Sequence, residues 1–310
     1  MTHFLTELDL PTGAVNRLLT DAARLKADRR EGRRSTDLEG KTVALYFEKP
    51  SVRTRVSFTV GVQELGGQVV ELSPSTTKVG KGEDPADFAK VLGRYVHAIV
   101  ARVFDQGLLE TFAHHAGVPI INALSDERHP CQALADALTI KERRGRVEGC
   151  VFAFVGEGNN VAASTGLLLA ALGADVRVAS PEGYGLPTAV LYRGRGLSGS
   201  LRQTTSVEEA VEGADVLYTD TWISMGQEDE TAPRRAVFRG YRIDGDVLRL
   251  AAPGAFVMHC LPAVRGEEID ADVMYGPASA IWDQAENRLH VQKALLRAFL
   301  GPRGARSERW

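Results

Sequence analysis

Short runs of β-branched and aromatic residues recur along the chain, each followed by a longer stretch of helical pattern. Thr42–Phe47, Gln68–Leu72, His97–Arg102 and Val118–Asn122 form one set of expected strands. Cys150–Val155, Asp175–Ser180, Asp215–Asp220 and Ala255–Cys260 form a second. Between them Val52–Leu65, Pro85–Tyr95, Cys131–Glu142, Val161–Leu172 and Ser206–Gly213 read as helices. Strand, helix, strand at this spacing predicts βαβ units and parallel sheets. The polar stretch Lys141–Gly149 interrupts the series near its middle and reads as a helix end plus a link. The expected architecture is therefore two α/β domains, each a parallel β-sheet flanked by helices, which a chain of 310 residues can accommodate. A last helix is expected from about Ala285 to Leu300, stopped by Gly301 and Pro302.

Composition narrows the chemistry. A formal net charge of −3 leaves no basic excess to neutralise a phosphate backbone, which argues against a nucleic-acid partner. The N-terminus has no basic region leading into an apolar run, and no stretch is apolar for long enough to cross a bilayer, so a cytoplasmic protein is expected. Three scattered cysteines, Cys131, Cys150 and Cys260, fit a reducing compartment rather than a disulfide framework or a zinc site. The histidines are also scattered, and no HExxH spacing exists, so no catalytic metal is expected.

In parallel-sheet proteins the chemistry sits beyond the carboxyl ends of the strands. The most unusual polar clusters follow expected strands: Glu48–Arg55, Arg102, Asn122–Gln132, Gly156–Asn160, Asp220–Gly226 and His259–Pro262. Phe47–Arg55, FEKPSVRTR, ends a strand and opens a helix that Ser51 can cap. Arg53 and Arg55 then fall in the first turn, where the helix dipole disfavours cations. A bound anion reverses that penalty, because the free amides, the hydroxyls of Ser51 and Thr54 and the guanidinium groups can converge on a phosphate. A capped helix with two solvent-facing arginines is the plainer alternative, and both remain open on helix physics alone. Gly156–Val161, GEGNNV, resembles a dinucleotide-binding turn, but Val161 occupies its third glycine position. A dinucleotide-dependent oxidoreductase is thus a rival from another class.

Five motifs together carry a family resemblance: Ser51–Arg55 (SVRTR), His129–Ile140 (HPCQALADALTI), Tyr218–Glu228 (YTDTWISMGQE), Met258–Ala263 (MHCLPA) and Asp283–His290 (DQAENRLH). Their order and content resemble the aspartate/ornithine carbamoyltransferase superfamily, in its ornithine branch, from roughly Leu38 to Leu300. The resemblance implies an active site in the cleft between the two domains. It implies a carbamoyl phosphate-binding domain over residues 1–143, joined by the C-terminal helix 285–300, and an ornithine-binding domain over 144–284. No cofactor is implied. Ser51, Val52, Arg53 and Thr54 would hold the phosphate with Arg102, while His129, Gln132 and Arg288 would contact the carbamoyl end. Cys260 would lie beside the amine and the carbamoyl group, and the carbonyl of Leu261 would bind the carbamoyl nitrogen. Asn160, Asp220, Ser224 and Met225 would hold the α-amino and α-carboxylate groups of ornithine.

The implied reaction moves a carbamoyl group from carbamoyl phosphate to the side-chain amine of ornithine, giving citrulline and phosphate, in arginine biosynthesis or in catabolism. Putrescine or an N-acylated ornithine is an alternative acceptor, and an inactive anion-binding or regulatory protein is the alternative of another class. On residue type alone, His129 before a proline is also a simple helix cap, Cys260 a buried inert thiol, and Trp222 and Met225 core residues. The family loop that here includes Lys78 crosses to a neighbouring subunit, implying a homotrimer or an assembly of trimers. Four positions depart from the family pattern: Val52 for Thr, Lys78 for Gln, Thr59 for Glu and His97 for Asp.

Overall fold

The computed structural model describes residues 2–73, 77, 79, 82–223 and 228–302, with Glu228 described in its backbone only. The chain divides into two compact units, Met1–Leu138 with Asn287–Trp310, and Thr139–Glu286. Each is built on its own parallel sheet.

In the first unit α1 (Thr12–Arg30) precedes β1 (Thr42–Phe47), α2 (Val52–Glu64), β2 (Gln68–Leu72) and α3 (Pro85–Leu92). Then come β3 (Ala98–Arg102), α4 (Gln106–His115), β4 (Ile120–Leu124) and the start of α5 (Pro130–Arg144). The strand order is β2-β1-β3-β4. β3 and β4 are buried along their whole length, as is β1 beyond Thr42, which is the pattern of strands covered on both faces. Tyr46, Phe88 and Phe112 form the aromatic centre of one face, with ring centroids 5.6 to 5.7 Å apart. The sheet reverses its order between β1 and β3, whose last residues Phe47 and Arg102 stand side by side. A register shift between Ala101 and Arg102 against β4 re-aims the strand end that carries Arg102.

The second unit takes up the rest of α5 and continues with β5 (Val151–Val155), α6 (Asn160–Ala171), β6 (Asp175–Ala179) and α7 (Thr188–Gly194). It goes on through β7 (Ser200–Thr204), α8 (Val207–Val211), β8 (Val216–Thr219), α9 (Thr231–Phe238) and α10 (Gly245–Leu250). β9 (Phe256–His259), α11 (Ala271–Met274) and the first residues of α12 (Ile281–Leu300) complete it. The order β7-β6-β5-β8-β9 reverses between β5 and β8. Gly156–Asn160 and Asp220 therefore follow adjacent strand ends, the usual place for a ligand in such a sheet. From Asn287 onward α12 belongs to the first unit, where Lys26 donates to Asn287, Lys293 to Glu64 and Arg297 to Asp21.

The eight expected strands are all present, with shifts at their ends. β4 starts two residues later than expected, at Ile120, because its first ladder partner on β3 is Ile99. β7 was not among them: its sequence SLRQT is polar and half exposed, as suits an edge strand. The final helix starts at Ile281, four residues before the expected Ala285. Among the described residues no helix is long and apolar enough to cross a membrane.

Candidate functional site

In the first unit Ser51 caps α2, its hydroxyl accepting the Thr54 amide at 3.3 Å. No acidic residue lies in the first turn, so the positive end of the helix has no local counter-charge. Thr54 is buried, and its hydroxyl accepts from Arg288 Nη2 at 2.9 Å. The other arm of the same guanidinium, Nη1, donates to Gln132 Oε1 at 2.7 Å. Gln132 in turn donates to Asp136 Oδ1 at 2.8 Å, which fixes which way its amide points. One buried arginine from α12 thus joins the start of α2 to the first turn of α5, across 234 and 156 residues of sequence. Arg102 is also buried, at the end of β3.

His129 precedes α5 and is 5% exposed. Burial, then the charges of Arg288 and Arg102, hold its pKa well below 6.5. It is neutral at physiological pH and can donate only through whichever ring nitrogen carries the proton. Its turn is built by Ser125, whose hydroxyl accepts the Arg128 amide and donates to Gln106, and by Arg128, which faces the buried Glu7 at 3.5 Å.

The second unit gathers a different set. Asp220, after β8, accepts on Oδ2 from Asn159 Nδ2 at 2.8 Å. Its Oδ1 accepts from the Thr221 amide at 2.8 Å and from the Cys260 thiol at 2.9 Å. Asn159 also caps α6, its Oδ1 taking the amides of Val161 and Ala162. Gly158 allows the turn to pass Gly185 and Leu186: a Cβ there would stand 2.3 Å from the Leu186 nitrogen. Possible ligand atoms of Asp220, His259 and Cys260 lie within 4.8 Å of one another, a spacing that could suit a metal ion and that their positions in sequence did not suggest. Both ring nitrogens of His259 are engaged, however, one by the Leu261 amide and one by Glu268.

Two family models match the chain: the aspartate/ornithine carbamoyltransferase carbamoyl-P binding domain over residues 2–142, and the Asp/Orn binding domain over residues 148–299. An ornithine carbamoyltransferase of Acidothermus cellulolyticus is 52% identical over 308 residues, covering 98% of each chain. The solved ornithine carbamoyltransferase of Pyrococcus furiosus superposes with a TM-score of 0.93 at 46% identity, covering 96% of each chain. That of Gloeobacter violaceus gives 0.87 at 45%, covering 97% of this chain and 99% of that one. The chain belongs to the aspartate/ornithine carbamoyltransferase family.

Within this carbamoyltransferase chain the expected residues fall into two groups. Ser51, Thr54, Arg102, His129, Gln132 and Arg288 lie in the first unit, five of them buried and three joined directly through Arg288. Val52 and Arg53 begin α2 with exposed side chains. Asn160, Asp220, Cys260 and Leu261 lie in the second unit, with Asp220 bonded to Cys260. Lys78, Ser224 and Met225 lie outside the described residues. Trp222 is buried and stacks on Phe238, a core role, while its carbonyl accepts from Arg234. Of the departures from the family pattern, His97 accepts the Thr42 amide at the foot of the sheet, and Thr59 donates to Glu71. Sequence reasoning missed the supports of Asp220 and of the Leu261 turn, namely Asn159, Gln284 and Glu268. Only Asn159 carried a signal, an asparagine at a strand-to-helix turn.

The low pKa of His129 has a consequence for stability. Below about pH 6.5 the unfolded chain binds a proton there that the folded chain refuses, so this residue lowers stability as pH falls and has no effect well above that value. Denaturant unfolding at about pH 7.5 and about pH 5.5 should show a smaller loss for His129→Gln than for the parent, by up to about 1.4 kcal/mol. Equal losses would contradict the assignment of a neutral, buried imidazole.

Proposed function

We infer that the chain transfers the carbamoyl group of carbamoyl phosphate to the side-chain amine of L-ornithine, giving L-citrulline and phosphate. One observation carries this reading: Arg288 is buried and bridges Thr54, at the uncompensated positive end of α2, to Gln132, which follows the neutral His129. Such a donor set suits an acyl phosphate, with charge for its phosphate and a neutral donor for its carbonyl.

In this proposal residues 1–143 with helix 285–300 form the carbamoyl phosphate domain, which takes in most of the first unit, and residues 144–284 form the ornithine domain. Amides and hydroxyls of Ser51, Val52, Arg53 and Thr54 hold the phosphate with Arg102. Val52 contributes through its amide alone, since its side chain has no polar atom and is 78% exposed. His129, Gln132 and Arg288 hold the carbamoyl end. The neutral side-chain amine of ornithine attacks the carbonyl carbon, the C–N bond forms, and negative charge gathers on the oxygen. His129, Thr54 and Arg102 stabilise that charge as donors already in place. The C–O bond to phosphate then breaks, and the departing phosphate takes the amine proton. No covalent intermediate on Cys260 is needed. Cys260 and the Leu261 carbonyl are assigned to the amine and the carbamoyl nitrogen.

Asp220 receives the α-ammonium, with Asn160, Ser224 and Met225 serving the α-amino and α-carboxylate ends. Its carboxylate already accepts three donors of about four it can take, which leaves room for an ammonium. We place the enzyme in the cytoplasm and read it as a homotrimer or an assembly of trimers. The apolar Val52, Val56 and Val70 are exposed on α2 and on the edge strand β2, which supports a self-association surface there. Sedimentation equilibrium should return three times the chain mass or a multiple of it; a monomer at enzyme-assay concentrations would refute this part.

The activity is tested by carbamoyl phosphate-dependent phosphate release with ornithine, putrescine, acetylornithine and aspartate, with the product identified by mass. Ornithine should be the preferred acceptor and citrulline the product. Acetylornithine should fail, because it lacks the α-ammonium assigned to Asp220. Transfer to another amine in preference to ornithine would overturn the acceptor assignment, and no transfer to any acceptor would overturn the enzyme reading.

A further inference from the structure

The turn that carries Cys260 and Leu261 follows a buried network that the reaction itself does not use. β9 ends at His259, which is fully buried together with Glu268. The backbone amide of Leu261 donates to His259 Nδ1 at 2.8 Å. An amide N–H can only donate, so Nδ1 carries a lone pair and the ring proton sits on Nε2. Nε2 lies 3.1 Å from Glu268 Oε1, and in this tautomer it donates there. The same carboxylate oxygen accepts the Val264 amide at 2.6 Å. The His259 amide is held from α12 by Gln284 Oε1 at 2.8 Å, and Gln284 donates to the hydroxyl of Tyr218.

This arrangement sets a backbone that Leu261 would not choose. Its φ is +60°, the single positive value among the described non-glycine residues. For a residue with a Cβ this conformation is unfavourable and persists only where its surroundings impose it. Of its immediate neighbours, Cys260 is bonded to Asp220. The alternative histidine tautomer, with its proton on Nδ1, would set two donors against each other at the Leu261 amide.

We propose that Glu268 is a positioning residue for carbamoyl transfer: it selects the Nε2–H tautomer of His259, and the free Nδ1 then holds the Cys260–Pro262 turn through the Leu261 amide. The inference rests on the functional reading above, which assigns Cys260 and the Leu261 carbonyl to the reacting groups. Glu268 touches neither substrate, and its effect passes through one ring and two backbone amides. Glu268→Gln keeps Oε1 as an acceptor for both donors, whereas Glu268→Leu removes it.

The test combines a spectrum with kinetics on the full-length chain. With ¹⁵N-labelled histidine, His259 in the parent protein and in Glu268→Gln should show the proton on Nε2, and Glu268→Leu should lose that signature. In the phosphate-release assay with ornithine, Glu268→Leu should lower kcat at least about tenfold, the loss expected from one buried hydrogen-bond acceptor. Glu268→Gln should remain within about threefold of the parent in kcat. A parent His259 protonated on Nδ1 or on both nitrogens overturns the proposal, even if Glu268→Leu does not fold. So does a Glu268→Leu enzyme with parental kcat, or a Glu268→Gln enzyme as impaired as Glu268→Leu. A parent protein without activity towards ornithine defeats the functional reading instead, and the spectrum still reads the tautomer.

Discussion

A buried guanidinium has to place its donors on fixed acceptors, and Arg288 does so in a way that orders the first unit's polar centre. Its two arms reach Thr54 and Gln132, so the start of α2, the start of α5 and the last helix share one geometry. Nothing local holds these segments together, since Arg288 stands 234 and 156 residues from its two partners. Burying the charge costs several kcal/mol unless it is compensated. The two described bonds offset part of that cost, and an anion at the end of α2 would offset more. Burial, reinforced by the same charge and by that of Arg102, keeps His129 neutral, so a cation suited to an acyl phosphate stands with a neutral donor for its carbonyl.

The second unit solves a different problem with the same economy of parts. Asp220 is kept as an acceptor by three donors, of which Asn159 is also the cap of α6 and Cys260 the first residue after β9. A helix cap, a strand end and a carboxylate are therefore one structure, and moving any of them disturbs the other two. The turn after β9 depends on His259, and His259 on Glu268. Positioning here is carried by buried side chains at the sheet edge, while the groups assigned to substrate are backbone and small side chains above them.

Much of the fold was legible because it follows from period and composition. Strands buried on both faces announce themselves as apolar runs, and β1 matches its expected limits residue for residue, as does β2, an edge strand whose QVVEL still holds three apolar residues. β7 escaped because an edge strand needs no apolar face, and SLRQT has little. Helix α1, amphipathic and without a side-chain cap, gave no start signal to read. At the site, the residues themselves stood out by family motif and by their place after strands. Their partnerships did not. That Arg288 meets Thr54, or Glu268 meets His259, depends on how the chain closes on itself, and no spacing rule encodes it. The pairing of Cys260 with Asp220 was hidden for the same reason, since each belongs to a different strand end.

If the Arg288 bridge builds the site for the acyl phosphate, removing its donors must weaken binding of that ligand. Titration calorimetry of carbamoyl phosphate into the parent protein and into Arg288→Met, with folding of both verified, tests it most directly. The affinity should weaken by about 1.5–3 kcal/mol or more, the range for losing hydrogen bonds from a charged donor. Unchanged affinity would place carbamoyl phosphate away from Arg288 and leave that residue a purely structural tie.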